Sequence, residues 1–456
     1  MQPRRTGRWI KWAAAGVAAA LVALMLVGWR LMPTQAERAV AELPASPTTA
    51  SVTSRQPRPA TGNLALPPEQ AASVPAGFVE ACGLGWVKDS ASLYTSPPAV
   101  TAASDALRPK LIAAWLAGSD ERLKAVAYLL QMTEPEPGYR TALAEATERC
   151  GSDEQPPCTQ ADLPAWRETA QAPAARVALA KLAMTTRDPA VYALALQQCQ
   201  KMVLDMRSAT DADGACSQLS ARRWAQLDPD NGMAWLRVAG DATDRGNAHA
   251  IEEVMHRLAT VSGYRTNFGL GAAAVLNAAT EGSPIAKQSL AVELLAVEAA
   301  AAVPGLQPIV MQCSKEQVTD ANRRQLCATV ADRMVDTGDT LLVAGIGRAI
   351  GERTGWSSER TQRSKDELRV LQDSAASWLV ADSLAPGSCA MIERTARYVA
   401  AAARLGEMAA MRQLAASSGR SMDDLIANHR RRQAADATAA AASAAAPAWA
   451  SASASR

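Results

Sequence analysis

The feature that most limits what this chain can become is the 3.6-residue period of its apolar side chains, which recurs in nearly every long segment between residues 78 and 433. Amphipathic stretches alternate with short breaks of Gly, Pro, Asp or Asn. A helix capped by Ser104 should run to Leu116 and stop at Gly118, and Asp120 should cap a second from Glu121 to Met132, closed by Pro135 and Pro137. The pattern predicts further helices over 174–186, 189–206, 232–244, 248–260, 284–302, 321–335, 359–384 and 389–405. Of 456 residues 48% are apolar, enough for a large core, but only 11 Trp, 6 Tyr and 2 Phe are aromatic. Ala, Leu and Val supply most of the rest, a composition that favours helices and starves sheets. The hairpin signal Asn231-Gly232 lacks alternating flanks. An all-α fold with no sheet is therefore expected. Helical hairpins laid down in sequence bury their apolar faces by stacking on one another, which leads to a solenoid.

The N-terminus speaks to location. Arg4, Arg5, Arg8 and Lys11 precede an uncharged run from Trp12 to Trp29, closed by Arg30, and about 18 to 20 apolar residues suffice to cross a bilayer core. Residues 12–31 are thus expected to form a transmembrane signal anchor, with 1–11 in the cytoplasm and the remainder outside. The competing reading is a cleaved signal peptide with Thr34-Gln35-Ala36 as its processing site, although the apolar run exceeds the usual core of about 7 to 15 residues. Either way the bulk of the chain is exported, to the periplasm if the cell is bacterial. The formal charge of +2 falls to −3 without residues 1–30, since 47 bases less these five leave 42 against 45 acids. That balance argues against a nucleic-acid partner. Residues 32–77, rich in Pro, Ala, Ser and Thr, read as a linker; residues 434–456, of Ala and Ser, read as a disordered tail. The helical-repeat domain spans 78–433.

Cysteine usage agrees with export. Eight Cys are present, and no Cys-x-x-Cys spacing suggests zinc or redox exchange. Three neighbouring pairs close short loops: Cys150 with Cys158, Cys199 with Cys216, and Cys313 with Cys327. The second requires the helix bearing Cys199 to end early, because two straight helices meeting near Ser208 would leave these thiols about 10 Å out of level. Cys82 and Cys389 remain, and their pairing would tie the start of the domain to its end.

One stretch is more specific. Leu227-Asp228-Pro229-Asp230-Asn231-Gly232-Met233-Ala234-Trp235 resembles the boundary between tetratricopeptide repeats, where a Leu-Asp-Pro turn leads into a helix with Trp near its start. Trp235, Val238, Ala239 and Ala242 form one apolar stripe; Ile251, Val254, Met255 and Leu258 form another beyond a turn at Gly246-Asn247. The resemblance covers residues 228–260. Elsewhere the helices are tetratricopeptide-like without the signature residues. In that family the first helix of a repeat lines the binding groove, which implies that Met233, Arg237, Gly240 and Asp244 face a partner and tolerate substitution.

Other patterns are weaker. His249, Glu252, Glu253 and His256 share a helix face, but the imidazoles stand about 10 Å apart and a solvated polar face accounts for them. Gly345, Gly347 and Gly351 have the wrong spacing for a dinucleotide loop and suit a helix packed closely on a neighbour. Arg430-Arg431-Arg432 is expected to close a helix at its negative end. No cofactor, metal or catalytic motif is expected. The reading is an anchored, exported scaffold that binds a protein or peptide of the cell envelope; the alternative is a peptidoglycan-acting hydrolase using a single Glu as acid.

Overall fold

A computed structural model describes residues 78–88, 98–136, 138–150, 164, 168–204, 214–301, 305–379 and 387–445. The expected anchor, the linker before Phe78, Cys158 and the last residues of the tail lie outside them. Among the described residues no helix is long and apolar enough to cross a membrane.

Helix dominates, as the period requires. The helices are α1 (Pro98–Ala117), α2 (Glu121–Met132), α3 (Tyr139–Cys150), α4 (Ala172–Thr185), α5 (Pro189–Leu204), α6 (Ala221–Leu227), α7 (Gly232–Asp244), α8 (Ala248–Leu258) and α9 (Leu270–Ala278). They continue with α10 (Pro284–Ala301), α11 (Leu306–Gln312), α12 (Ala321–Thr337), α13 (Leu341–Thr354), α14 (Ser358–Leu379), α15 (Cys389–Leu405), α16 (Glu407–Ser417) and α17 (Met422–Ala445). Asp120 caps α2 as expected, accepting from the backbone N–H of Arg122 and Leu123. Ser104 does not cap α1: the helix starts earlier, at Pro98, where a missing N–H costs nothing, and the buried Ser104 hydroxyl donates back to the Val100 carbonyl at 2.8 Å. The last helix passes the expected boundary at 433 and runs to Ala445, since Ala is the best helix former and nothing local stops it. Arg430 to Arg432 therefore lie inside that helix, and Arg430 pairs with the buried Asp366 of α14 at 2.6 Å.

The expectation of no sheet is overturned at the domain's start. Strands β1 (Phe78–Ala81) and β2 (Gly85–Lys88) form an antiparallel hairpin with Phe78 opposite Lys88, Val79 opposite Val87 and Glu80 opposite Trp86. Its turn places Gly83 and Gly85 at φ near +80°, which side-chain-bearing residues rarely adopt. The inner face puts Ala81 and Val87 against Val100, with Val79 and Ile285 beside them.

Packing also departs from a stack laid strictly in order. Neighbouring pairs α1–α2, α7–α8 and α12–α13 form hairpins, yet α10 returns to α1, α9 packs on α15, and α8 on α12. A solenoid unit touches only its sequence neighbours. One large core runs through most of these helices, and a smaller one joins α13, α14 and α16. A partly buried ionic staple reinforces the early part: Arg108 of α1 donates to the Leu130 carbonyl at 2.9 Å and to Thr133 Oγ1 at 3.1 Å. It also pairs with Glu293 of α10, which holds Arg140 of α3 at 2.8 Å.

Three disulfides cross the described fold. Cys82 and Cys389 join with Cα atoms 4.8 Å apart, and the Cys82 N–H donates to the Gly387 carbonyl at 2.9 Å. Cys313 pairs with Cys327. Cys199 pairs with Cys216 although α5 continues to Leu204 and does not end early. The level argument fails because Cys216 begins a single 3-10 turn, not a long antiparallel helix.

Candidate functional site

The stretch that resembles a tetratricopeptide boundary is built around one buried amide. Asn231 Oδ1 accepts from the N–H of Met233 at 3.0 Å and of Arg265 at 2.8 Å, while its Nδ2 donates to Asp228 Oδ2 at 2.8 Å and to the Arg265 carbonyl at 3.0 Å. It thus caps α7 and fastens the segment following α8 to the start of that helix. The next residue has to be Gly, because a Cβ there would run into the buried ring of Tyr264. The Trp235 indole N–H donates to the Pro229 carbonyl at 2.8 Å, and both apolar stripes, 235/238/239/242 and 251/254/255/258, are buried.

The four expected contact residues are not a free face. Met233 and Arg237 are 5% and 8% exposed, and Gly240 lies on the backbone of Gly305; Asp244 alone is open. Neighbouring helices close over this side: α6 and α11 both pack on α7, and Gly305 before α11 presses against the Leu236 carbonyl. The periodicity of α7 identifies its most apolar side but carries no information about a later helix covering another. Burial pulls the Arg237 guanidinium down to about 10.

The cleft that is present lies between α5 and the segment entering α9. It is a shallow hollow with room for about one water, lined chiefly by Leu194, Gln197, Thr266, Asn267, Phe268 and Glu298. Asn267 takes a left-handed φ of 58°, which Asn tolerates better than most residues. Glu298 is buried, and its two oxygens accept from the N–H of Gly269 at 2.8 Å and Gly271 at 2.6 Å, closing the N-terminus of α9. Burial pushes its carboxyl up to about 7, against the pull of those two amides. On the other side of Thr266, Asp339 accepts from the Thr266 N–H at 2.6 Å and hydroxyl at 3.0 Å. Burial, with the nearby Glu407 charge adding, raises it to about 7. Glu407 accepts from the Leu341 N–H at 3.0 Å and is raised by burial. These acids hold helix starts and a loop.

Sequence reasoning named none of the three. For Glu298 a signal existed: Leu290, Leu294 and Glu298 recur every four residues along one buried stripe of α10, and a carboxylate in such a stripe calls for partners. Elsewhere, Glu252 pairs with Arg323 at 2.5 Å and Glu253 with Arg222 at 3.2 Å, with His256 3.7 Å from Glu252. Gly347 backs onto α12 and Gly351 onto the Trp356 ring, the close helix packing expected for that run. The chain matches no model of a known protein family, no curated protein and no solved structure.

Proposed function

We propose that this chain is a membrane-tethered, exported helical scaffold that binds a protein or peptide partner in the cell envelope. The observation that carries export is the Cys82–Cys389 disulfide, joined by Cys199–Cys216 and Cys313–Cys327, because such bonds persist in oxidising compartments. Residues 12–31 then serve as the anchor behind the cytoplasmic bases, with 32–77 as spacer. The capped hairpin of α7 and α8 supports reading residues 228–260 as a tetratricopeptide-type unit in a tetratricopeptide-like domain. With Met233, Arg237 and Gly240 covered, the partner contact moves to Asp244 and the exposed turn between α7 and α8. Protease added outside intact spheroplasts should digest the domain; protection would contradict export. Asp244→Ala should then weaken capture of a partner from detergent-solubilised envelopes without changing the melting temperature.

One observation favours a second reading, a cell-wall hydrolase: the cleft presents a single Glu whose carboxyl is raised toward neutrality. Against it, both oxygens of Glu298 already accept backbone N–H groups. Incubation of the full chain with cell-wall material decides between them. Release of soluble fragments that Glu298→Gln abolishes supports the hydrolase, and no release supports the scaffold.

A further inference from the structure

The outward face of the β1–β2 hairpin is unusual in a chain with two Phe. Phe78 and Trp86 are each 41% exposed and Leu84 in the turn 38%, three large apolar side chains within one short hairpin. The pairing register gives this face four corners. Phe78 stands opposite Lys88, and Glu80 opposite Trp86, so the aromatic residues occupy one diagonal and the opposite charges the other. Lys88 is exposed and Glu80 half-buried, and neither makes an ion pair among the described residues. The hairpin is held rigidly from behind by the Cys82–Cys389 disulfide and by the Cys82 backbone, which donates to Gly387 and accepts from Ile285 at 3.3 Å.

Such a face is complementary to itself. Rotating a second copy by half a turn about the Phe78–Trp86 diagonal lays Phe78 on Phe78 and Trp86 on Trp86. The same rotation sets each copy's Glu80 over the other's Lys88. With strands about 4.8 Å apart and alternate residues about 6.8 Å apart, the two hairpins would cross at about 70°, near the orthogonal class of sheet packing. Two-fold axes along or across the strands instead set aromatic residues against charges. We infer that this hairpin face is a self-association surface whose occupant is a second copy of the chain, related by a two-fold axis. Its small area makes the dimer weak and reversible, so its population depends on local concentration.

The test is a set of charge exchanges in the full chain in detergent, with association measured by sedimentation equilibrium over a range of protein concentrations. Wild type should pass from monomer to dimer. Glu80→Lys and Lys88→Glu should each weaken the dimer at least tenfold, because like charges then face each other. The two single variants mixed, or the double exchange in one chain, should recover wild-type affinity, which a folding defect would not allow. The proposal is overturned if wild type stays monomeric, as it would were the patch a lipid or peptide site. It is equally overturned if both single variants dimerise as wild type does, as in a dimer made by the apolar N-terminal segment, or if the mixture gains nothing.

Discussion

Asn231 concentrates more of the fold's specificity than any charged residue nearby. Four hydrogen bonds meet on its amide, and truncation would leave the buried N–H of Met233 and the partly buried N–H and carbonyl of Arg265 without this partner. Asn231→Ala should cost about 3 kcal/mol in denaturant unfolding, whereas Asp244→Ala, on the exposed side, should stay within about 0.5 kcal/mol. The buried acids make a second prediction. The folded carboxyls of Glu298 and Asp339 lie near 7, above their ordinary values of 4.5 and 3.8, so between those values the folded state holds more protons than the unfolded one. Their contribution to stability is complete below about pH 4 and is lost as the pH rises through 7. Melting temperature should therefore decline from pH 5 to pH 8, and Glu298→Gln with Asp339→Asn should flatten that slope. A slope unchanged by the double substitution would contradict the assignment.

Elements were legible where local chemistry and tertiary packing agree. The Asp120 cap, the bounds of α7 and the start of α15 at Cys389 follow from residues within one turn of each boundary. The hairpin was not legible, because each strand has only four residues and Gly83 and Gly85 obscure the alternation of Val79, Ala81 and Val87. The short helix α11 and the packing of α6 and α11 on α7 were equally hidden: which helix lands on which face is a tertiary fact that one helix's period does not encode. The cleft follows the same logic, since Glu298 is visible as an acid in an apolar stripe but its Gly269 and Gly271 partners depend on how α9 meets α10. At this scale the disulfides differ in leverage. Cys82 and Cys389 are 307 residues apart and Cys313 and Cys327 only 14, so chain entropy makes the first worth about 2.7 kcal/mol more. Replacing each pair by Ala and comparing unfolding free energies checks this ordering.

Across the whole molecule, long-range returns replace sequential stacking. With α10 on α1, α9 on α15 and the hairpin bonded to residue 389, the start, middle and end of the domain are locked together. Such a closed arrangement should unfold as one unit more readily than an open repeat array, whose ends fray independently. The proposed export and the clasp of the helical domain are both read most directly from the state of the thiols in the cell. Non-reducing peptide mapping by mass spectrometry, on protein alkylated under denaturing conditions straight from the cells that make it, reads that state. Cross-linked peptides joining Cys82 to Cys389, Cys199 to Cys216 and Cys313 to Cys327, with at most two of the eight Cys alkylated, are the predicted result. Alkylation of Cys82 and Cys389 together with four or more others would contradict both the clasp and the exported location.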